Sequence, residues 1–210
     1  MKGNYNNIAP YYDRLSQVIF GRAIINAQKY LVGFITTGNT ILIVGGGTGW
    51  ILEEIAKRHF EGLQITYLEI SEKMIDLSVK RDWGKNKVIF INKSIQEVAI
   101  DGQFDIVMTP FLLDNFSPKT VELVFEKIHK RLSPSGLWLF TDFQVNPKHK
   151  YWQKPLLKIM YLFFKLCCNI EAGRLPDTST LFDRFRYKKT SSKMFFHNFI
   201  CSQVFQQQNN

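Results

Sequence analysis

Cysteine is too scarce and too awkwardly placed in this chain to staple it or to hold a metal. Cys167 and Cys168 are adjacent and Cys201 stands alone, so there is neither an even disulfide framework nor a CxxC pair. Histidine is equally thin: His59, His129, His149 and His197 are scattered, with no HxxxH and no Cys/His cluster, and no metal site is expected. No uncharged apolar run approaches the roughly 18 residues of a membrane span, and the opening MKGNYNNIAPYYDRL has no apolar stretch behind a basic end. These absences lead to the expectation of a soluble, cytoplasmic chain with reduced thiols. Low-complexity linkers and internal repeats are missing too, so 210 residues at 45% hydrophobic composition should make one domain with one sizeable core.

Acidic residues are scarce in one region only. Residues 1–145 carry 16 Lys/Arg against 15 Asp/Glu, whereas residues 146–210 carry 11 against 3, so +8 of the +9 net charge is C-terminal. A solvated basic surface accounts for that surplus, and an anionic substrate or an anionic membrane surface would use it. No nucleic-acid recognition motif accompanies the charge, so nucleic acid is the least favoured partner. Within this region Tyr151 to Ile170 is very apolar, yet Lys154, Lys158 and Lys165 fall at separations of four and seven, a single polar stripe on a helix. Core packing on a sheet, a lipid-facing or oligomer-facing helix, and a lid over a hydrophobic acceptor all stay open for it.

Alternation of apolar runs with helical periods dominates the rest. Strands are predicted at Thr40 to Val44, Gln64 to Leu68, Lys87 to Ile91, Phe104 to Met108 and Gly136 to Asp142, and helices at Trp50 to Arg58, Glu72 to Lys80 and Lys119 to Leu132. SPKT at Ser117 to Thr120 reads as a helix entry and SPSG at Ser133 to Gly136 as an exit turn. Short buried-type strands between helices imply a doubly wound α/β domain, a mostly parallel sheet with helices on both faces. The ending departs from that rhythm. Tyr187 to Phe196 and Phe199 to Phe205 are separated only by His197 and Asn198, too short for a parallel crossover, so the sheet should finish with an antiparallel hairpin. Tyr5 to Phe34 should carry one or two helices, broken near Pro10 and Gly21, and with Tyr11 and Tyr12 they could close over the strand ends or pack at the sheet edge.

The stretch Ile41 to Leu52, ILIVGGGTGWIL, is a strand, a glycine turn and a helix start, an arrangement that lets backbone approach a ligand and turns free N–H groups toward negative charge. A dinucleotide fingerprint GxGxxG beginning at Gly45 would require Gly or Ala at position 50, and position 50 is Trp. The spacing present is GxGxG.

That turn, followed by ITYLEISEKMIDLS, resembles the first two motifs of the class I S-adenosylmethionine-dependent methyltransferases. FDIVMTPFLLDNF and LSPSGLWLFTDF resemble the family's fourth- and fifth-strand segments, the closing hairpin resembles its antiparallel seventh strand, and NNIAPYYDRLSQVIFG looks like the cap helix of small-molecule members, often written around a Tyr-Asp pair. The resemblance covers most of the chain. It implies a Rossmann-like, seven-stranded methyltransferase domain over 1–210, with 1–35 as cap helices and 146–186 as a basic, apolar helical segment before the hairpin.

The same resemblance implies S-adenosylmethionine as cofactor and a small-molecule acceptor. Gly45, Gly46, Gly47 and Gly49 would surround the methionine and ribose portions, and Glu69, 20 residues beyond Gly49, would accept from both ribose hydroxyls. Ile70 and Met74 would pack around the adenine, and Thr109 and Pro110 would line the slot beneath the sulfonium. Two departures stand out. Where the family usually places an acid for the adenine amino group this chain has Ser94 and Ile95, of which a serine oxygen and a backbone N–H can still reach the ring. Two residues before the first glycine the family commonly has Asp or Glu, and this chain has Ile43; backbone carbonyls or water would take over that ammonium contact, at a cost of about 1 kcal/mol.

In-line methyl transfer asks mainly for alignment and a water-poor pocket. If an oxygen or amine acceptor must lose a proton, the candidates near the strand ends are Asp142, Tyr12 and Asp114, with His149 less well placed. The Asn-Pro-Pro-Tyr or Asp-Pro-Pro-Tyr signature of amino-directed nucleic-acid methyltransferases is replaced here by TPFLLDNF, which favours a small-molecule acceptor, apolar or anionic, with peripheral membrane contact as a further expectation. The absence of acids at positions 43 and 94 keeps a second reading in view, a non-catalytic cofactor-binding protein or partner subunit.

Overall fold

The computed structural model describes residues 5–208; residues 1–4 of the expected cap region and residues 209–210 lie outside the described residues. The elements run α1 (Ala9–Phe20), α2 (Ala23–Val32), β1 (Thr40–Val44), α3 (Trp50–Arg58), β2 (Gln64–Glu69), α4 (Glu72–Ser78), β3 (Lys87–Asn92), β4 (Phe104–Pro110), a 3-10 turn (Leu113–Asn115), α5 (Pro118–His129), β5 (Leu132–Phe143), α6 (Lys150–Cys168), α7 (Thr178–Arg184), β6 (Tyr187–Phe195) and β7 (Ile200–Gln207). The seven strands lie in the order β3-β2-β1-β4-β5-β7-β6. β1 to β5 pair in parallel, and β7 runs antiparallel to both β5 and β6.

Strand alternation sends successive side chains to opposite faces, and each face has its own core. Ile41 and Ile43 of β1 join Ile51 and Ile55 of α3, Tyr67 of β2 and Met108 of β4. Leu42 and Val44 point the other way, into a cluster with Phe125 of α5, Trp138 of β5 and Phe182 of α7. The chain reverses its direction of travel across the sheet between β1 and β4, and ligands of such sheets bind beyond the carboxyl ends of the strands at that point.

Local signals set the helix boundaries. Ser71 starts α4 by accepting from the Met74 N–H at 3.2 Å, and Ser117 starts α5 with Pro118 in its first turn. Pro10 likewise opens α1 rather than breaking it, whereas Gly21, at φ 57°, separates α1 from α2. α4 stops at Ser78, two residues short of the sequence expectation, and β2, β3 and β4 run one or two residues further, but two other boundaries differ in kind. α5 stops at His129, because Leu132 already pairs with Phe104 of β4; Ser133 to Gly136 bulge out of β5 before Leu137 pairs with Ile106, so SPSG interrupts a strand instead of joining a helix to one. The final hairpin pairs Phe195 with Ile200, so its loop is Phe196 to Phe199, with Phe196, His197 and Asn198 all left-handed. β6 is an edge strand bearing exposed Lys188, Lys189 and Lys193, so part of the basic surplus guards an edge against further pairing.

Candidate active site

The carboxyl ends of the parallel strands, roofed by α1, α2 and α6, enclose a cleft of about 690 Å³. Its floor is the glycine turn. Gly46 lies directly against the ring of Tyr67, and a Cβ there would fall 2.2 Å from Tyr67 Cζ. Tyr67 is fully buried with little room to retreat, so Gly46→Ala should cost about 1–3 kcal/mol in urea denaturation through overpacking. Gly47, at φ 65°, lines the cleft with nothing within 4 Å of where a Cβ would be, so the turn presents bare backbone to a ligand.

The Gly47 peptide is held from both sides. Its N–H donates to Glu69 Oε2 at 3.0 Å, and its carbonyl accepts from Tyr67 Oη and Ser78 Oγ, each at 2.9 Å. Arg81 adds a third brace: Nε donates to the Thr48 carbonyl at 3.1 Å, and the guanidinium pairs with Glu53 and Asp13. Asp13 also accepts from Thr48 Oγ1 at 2.7 Å, which pins α1 to the glycine turn. Ile43 takes no part. It is fully buried, in register between Tyr67 and Met108, so the tyrosine beside it on β2 anchors the turn.

Glu69 ends β2 with one carboxylate oxygen on the Gly47 N–H and the other on the Ser71 N–H at 2.9 Å. Burial pushes its pKa up, and the backbone N–H groups of Ser71, Gly47 and Ile70 oppose that shift. Each oxygen retains a lone pair, and the residue lines the cleft. An acceptor pair beside an open glycine backbone fits a ribose diol, so the residues present fit S-adenosylmethionine. Ile70 and buried Met74 wall the same end, together with Ser94 and Ile95. Ser94 Oγ already accepts from the Gln96 N–H at 3.2 Å, and the cleft-lining Gln96 and Glu171 bring further polar groups there.

At the other end Pro110 lines the cleft, followed by Phe111 in the left-handed conformation at φ 50°. Thr109 does not reach the cleft. It is fully buried, and its hydroxyl accepts from Trp138 Nε1 at 2.9 Å. Asp142 also stands one layer back, accepting from the Phe143 N–H at 2.8 Å and the Asp114 N–H at 3.2 Å. Of the two, Asp114 is the carboxylate that lines the cleft, with Tyr12, Tyr5 and Asn115 also in the lining at this end. Tyr5 donates to Asn115 Oδ1, and Ser71 Oγ donates to Asn6 Oδ1 at 2.6 Å, so the N-terminal segment straps the cleft from both edges. His149 caps α6 and is absent from the lining.

Burial drives both carboxyls upward: Asp142 is raised from 3.8 to about 7, and Asp114 well above its usual range, further lifted by the charge of Asp142. Tyr12 is raised by burial and by Asp114, so at neutral pH it keeps its proton and is a hydrogen-bonding group, not a base. For Asp142 the unfolded chain ionises near pH 4 while the folded chain keeps its proton to about pH 7. The Asp142 contribution to stability should therefore be fully present below pH 4 and fall by up to about 1.4 kcal/mol per pH unit between the two values. Asp142→Asn should flatten that slope in urea titrations at pH 4, 5.5 and 7; an unchanged slope would place the titration elsewhere.

Sequence reading missed Tyr67, Ser78, Arg81 and Asp13. The apolar pattern of β2 hides Tyr67 as core, and only the Tyr-Asp pair of the cap hinted at Asp13.

Residues 41–136 match the family described as a methyltransferase domain. A malonyl-(acyl-carrier protein) O-methyltransferase of Priestia megaterium is 28% identical over 143 residues, covering 68% of this chain and 51% of that protein. The chain thus spans about half the length of that relative. A ubiquinone/menaquinone biosynthesis C-methyltransferase (UbiE) of Hydrogenovibrio crunogenus is 26% identical over 181 residues, 83% of this chain and 68% of that protein. Among solved structures, the 1,6-didemethyltoxoflavin-N1-methyltransferase of Burkholderia thailandensis, with 1,6-didemethyltoxoflavin and S-adenosylhomocysteine bound, aligns at TM-score 0.67 and 14% identity, covering 96% of this chain and 85% of that one. At that identity the likeness is one of fold.

Proposed function

We propose that this chain is a class I S-adenosylmethionine-dependent methyltransferase that transfers a methyl group from that cofactor to a small, largely apolar acceptor. The observation that carries the reading is the continuity of the cleft: the Gly47 and Glu69 end passes directly into a chamber walled by Phe20, Phe111, Phe143, Met160, Phe163 and Phe164. When bound, S-adenosylmethionine supplies an electrophilic methyl on a sulfonium. Gly45, Gly46, Gly47 and Gly49 would give it backbone, Glu69 would take the ribose hydroxyls, Ile70 and Met74 would pack on the adenine with Ser94, Ile95 and Gln96 beside it, and Pro110 would close the slot.

The aromatic walls exclude water and align the acceptor by shape. Tyr12 holds its polar group as a hydrogen-bond partner, while the Asn115 amide is spent on the Phe111 carbonyl and Asp114 Oδ1. Of the Asp114 and Asp142 pair, Asp114 is the one that reaches the cleft, and in its ionised form it takes up a proton where the acceptor must lose one; Asp142 positions it through the Asp114 N–H, and burial together with the Asp142 charge keeps its proton affinity high. The finer partner in this reading is an apolar acceptor met at an anionic membrane surface.

Incubation of the purified protein with methyl-labelled S-adenosylmethionine and separate aqueous and lipid metabolite extracts should yield a labelled product, enriched in the lipid fraction. S-adenosylhomocysteine binding without labelled product from either extract would favour the non-catalytic reading.

A further inference from the structure

We propose that the outer face of α6 docks on an anionic lipid surface and opens the apolar chamber toward it; the delivery of an acceptor rests on the function proposed above, the docking does not. Tyr151, Pro155, Ile159, Leu162 and Leu166 follow one another at steps of four, four, three and four, and so form one stripe along the helix. The four large ones among them are between 61% and 77% exposed. Lys154, Lys158 and Lys165 form a second exposed stripe, roughly 80° around the helix at 3.6 residues per turn. The opposite face is buried through Gln153, Leu157, Met160 and Cys168. Gln153 locks the helix in place, accepting from the Asn146 N–H at 2.7 Å and donating to the His197 carbonyl at 3.0 Å.

The exposed apolar stripe turns into the cleft wall without a break. Ile159 belongs to both, and Leu156, Met160, Phe163 and Phe164 continue it inward. Across the cleft α1 contributes Leu15 and Ile19 to the lining while Tyr11 and Val18 stay exposed, so both walls are apolar at the mouth. Among the described residues no helix is long and apolar enough to cross a membrane, so α6 would lie on the surface.

Charge selects the occupant. α6 carries no Asp or Glu, and the region from residue 146 onward holds 11 Lys/Arg against 3 Asp/Glu. A second copy of the same face would bring lysine stripe against lysine stripe, whereas anionic headgroups complement the lysines and acyl chains accept the neighbouring stripe.

Co-sedimentation with vesicles of phosphatidylcholine alone, and of phosphatidylcholine mixed with phosphatidylglycerol, tests this at low and at physiological salt. Wild type should bind the mixed vesicles and not the neutral ones. The triple variant Lys154→Gln/Lys158→Gln/Lys165→Gln should lose roughly 100-fold in vesicle affinity, and Leu162→Glu/Leu166→Glu should lose binding altogether. Both variants, altered only outside the cleft lining, should bind S-adenosylhomocysteine like wild type in calorimetry, which shows that they are folded. No binding to mixed vesicles at low salt, equal binding to neutral vesicles, or a lipid-free dimer abolished by Leu162→Glu/Leu166→Glu would each overturn the proposal. Vesicle binding by a wild-type protein that fails to bind S-adenosylhomocysteine would uphold docking and remove the function proposed above.

Discussion

Glu69→Gln is expected to weaken S-adenosylhomocysteine binding by about 100-fold, because hydrogen bonds to a charged acceptor contribute about 1.5–3 kcal/mol each. The substitution preserves shape and removes one acceptor oxygen. In the wild type both oxygens are already engaged by the Gly47 and Ser71 N–H groups. A glutamine can accept from only one of them and must turn its NH2 toward the other, leaving a buried donor unpaired at about 1–3 kcal/mol. The same variant should therefore also melt earlier than wild type. Because burial raises the Glu69 pKa, wild-type affinity should fall as the pH drops toward that raised value and recover above it, whereas the Gln variant should lack this dependence. Calorimetric titrations across pH measure both effects. Wild-type affinity in Glu69→Gln would remove the residue from the cofactor site.

Ile43→Asp is expected to cost at least about 3 kcal/mol of stability in urea denaturation and to bring no gain in cofactor affinity. From the sequence, an acid at this position could have restored a missing ammonium contact. In the structure Ile43 is fully buried in the cluster with Ile51 and Ile55, and its neighbours in register are Tyr67 and Met108. A carboxylate there would lose its water and gain no cation. Ile43→Val, which only trims a methyl group, should cost about 1 kcal/mol and serves as the control. A stable Ile43→Asp protein that binds S-adenosylhomocysteine more tightly would show that the position faces the ligand.

The contrast between Ile43 and Tyr67 explains what could be read in advance. Glycine spacing, the Trp at position 50 and the strand-terminal Glu69 are local signals, and they led to the turn and its acidic partner. The bonds that hold the turn are not local: Tyr67 is 20 residues from Gly47, Ser78 is 31, and Arg81 is 68 from Asp13. No short pattern marks them. Thr109 and Asp142 stand at the ends of β4 and β5, as the sequence implies, but their side chains turn away from the cleft. Alternation decides which of two successive residues faces a cleft, and Pro110 and Phe143 are the ones that do. A helix period and a strand start share Leu132, and only its pairing with Phe104 separates them.

The central claim is that the glycine turn and Glu69 form an S-adenosylmethionine site, and a calorimetric titration of the purified chain with S-adenosylhomocysteine, repeated with NADH, addresses it directly. One S-adenosylhomocysteine bound per chain with no heat from NADH is the predicted result. Saturable NADH binding, or no response to S-adenosylhomocysteine from a folded protein, would contradict it.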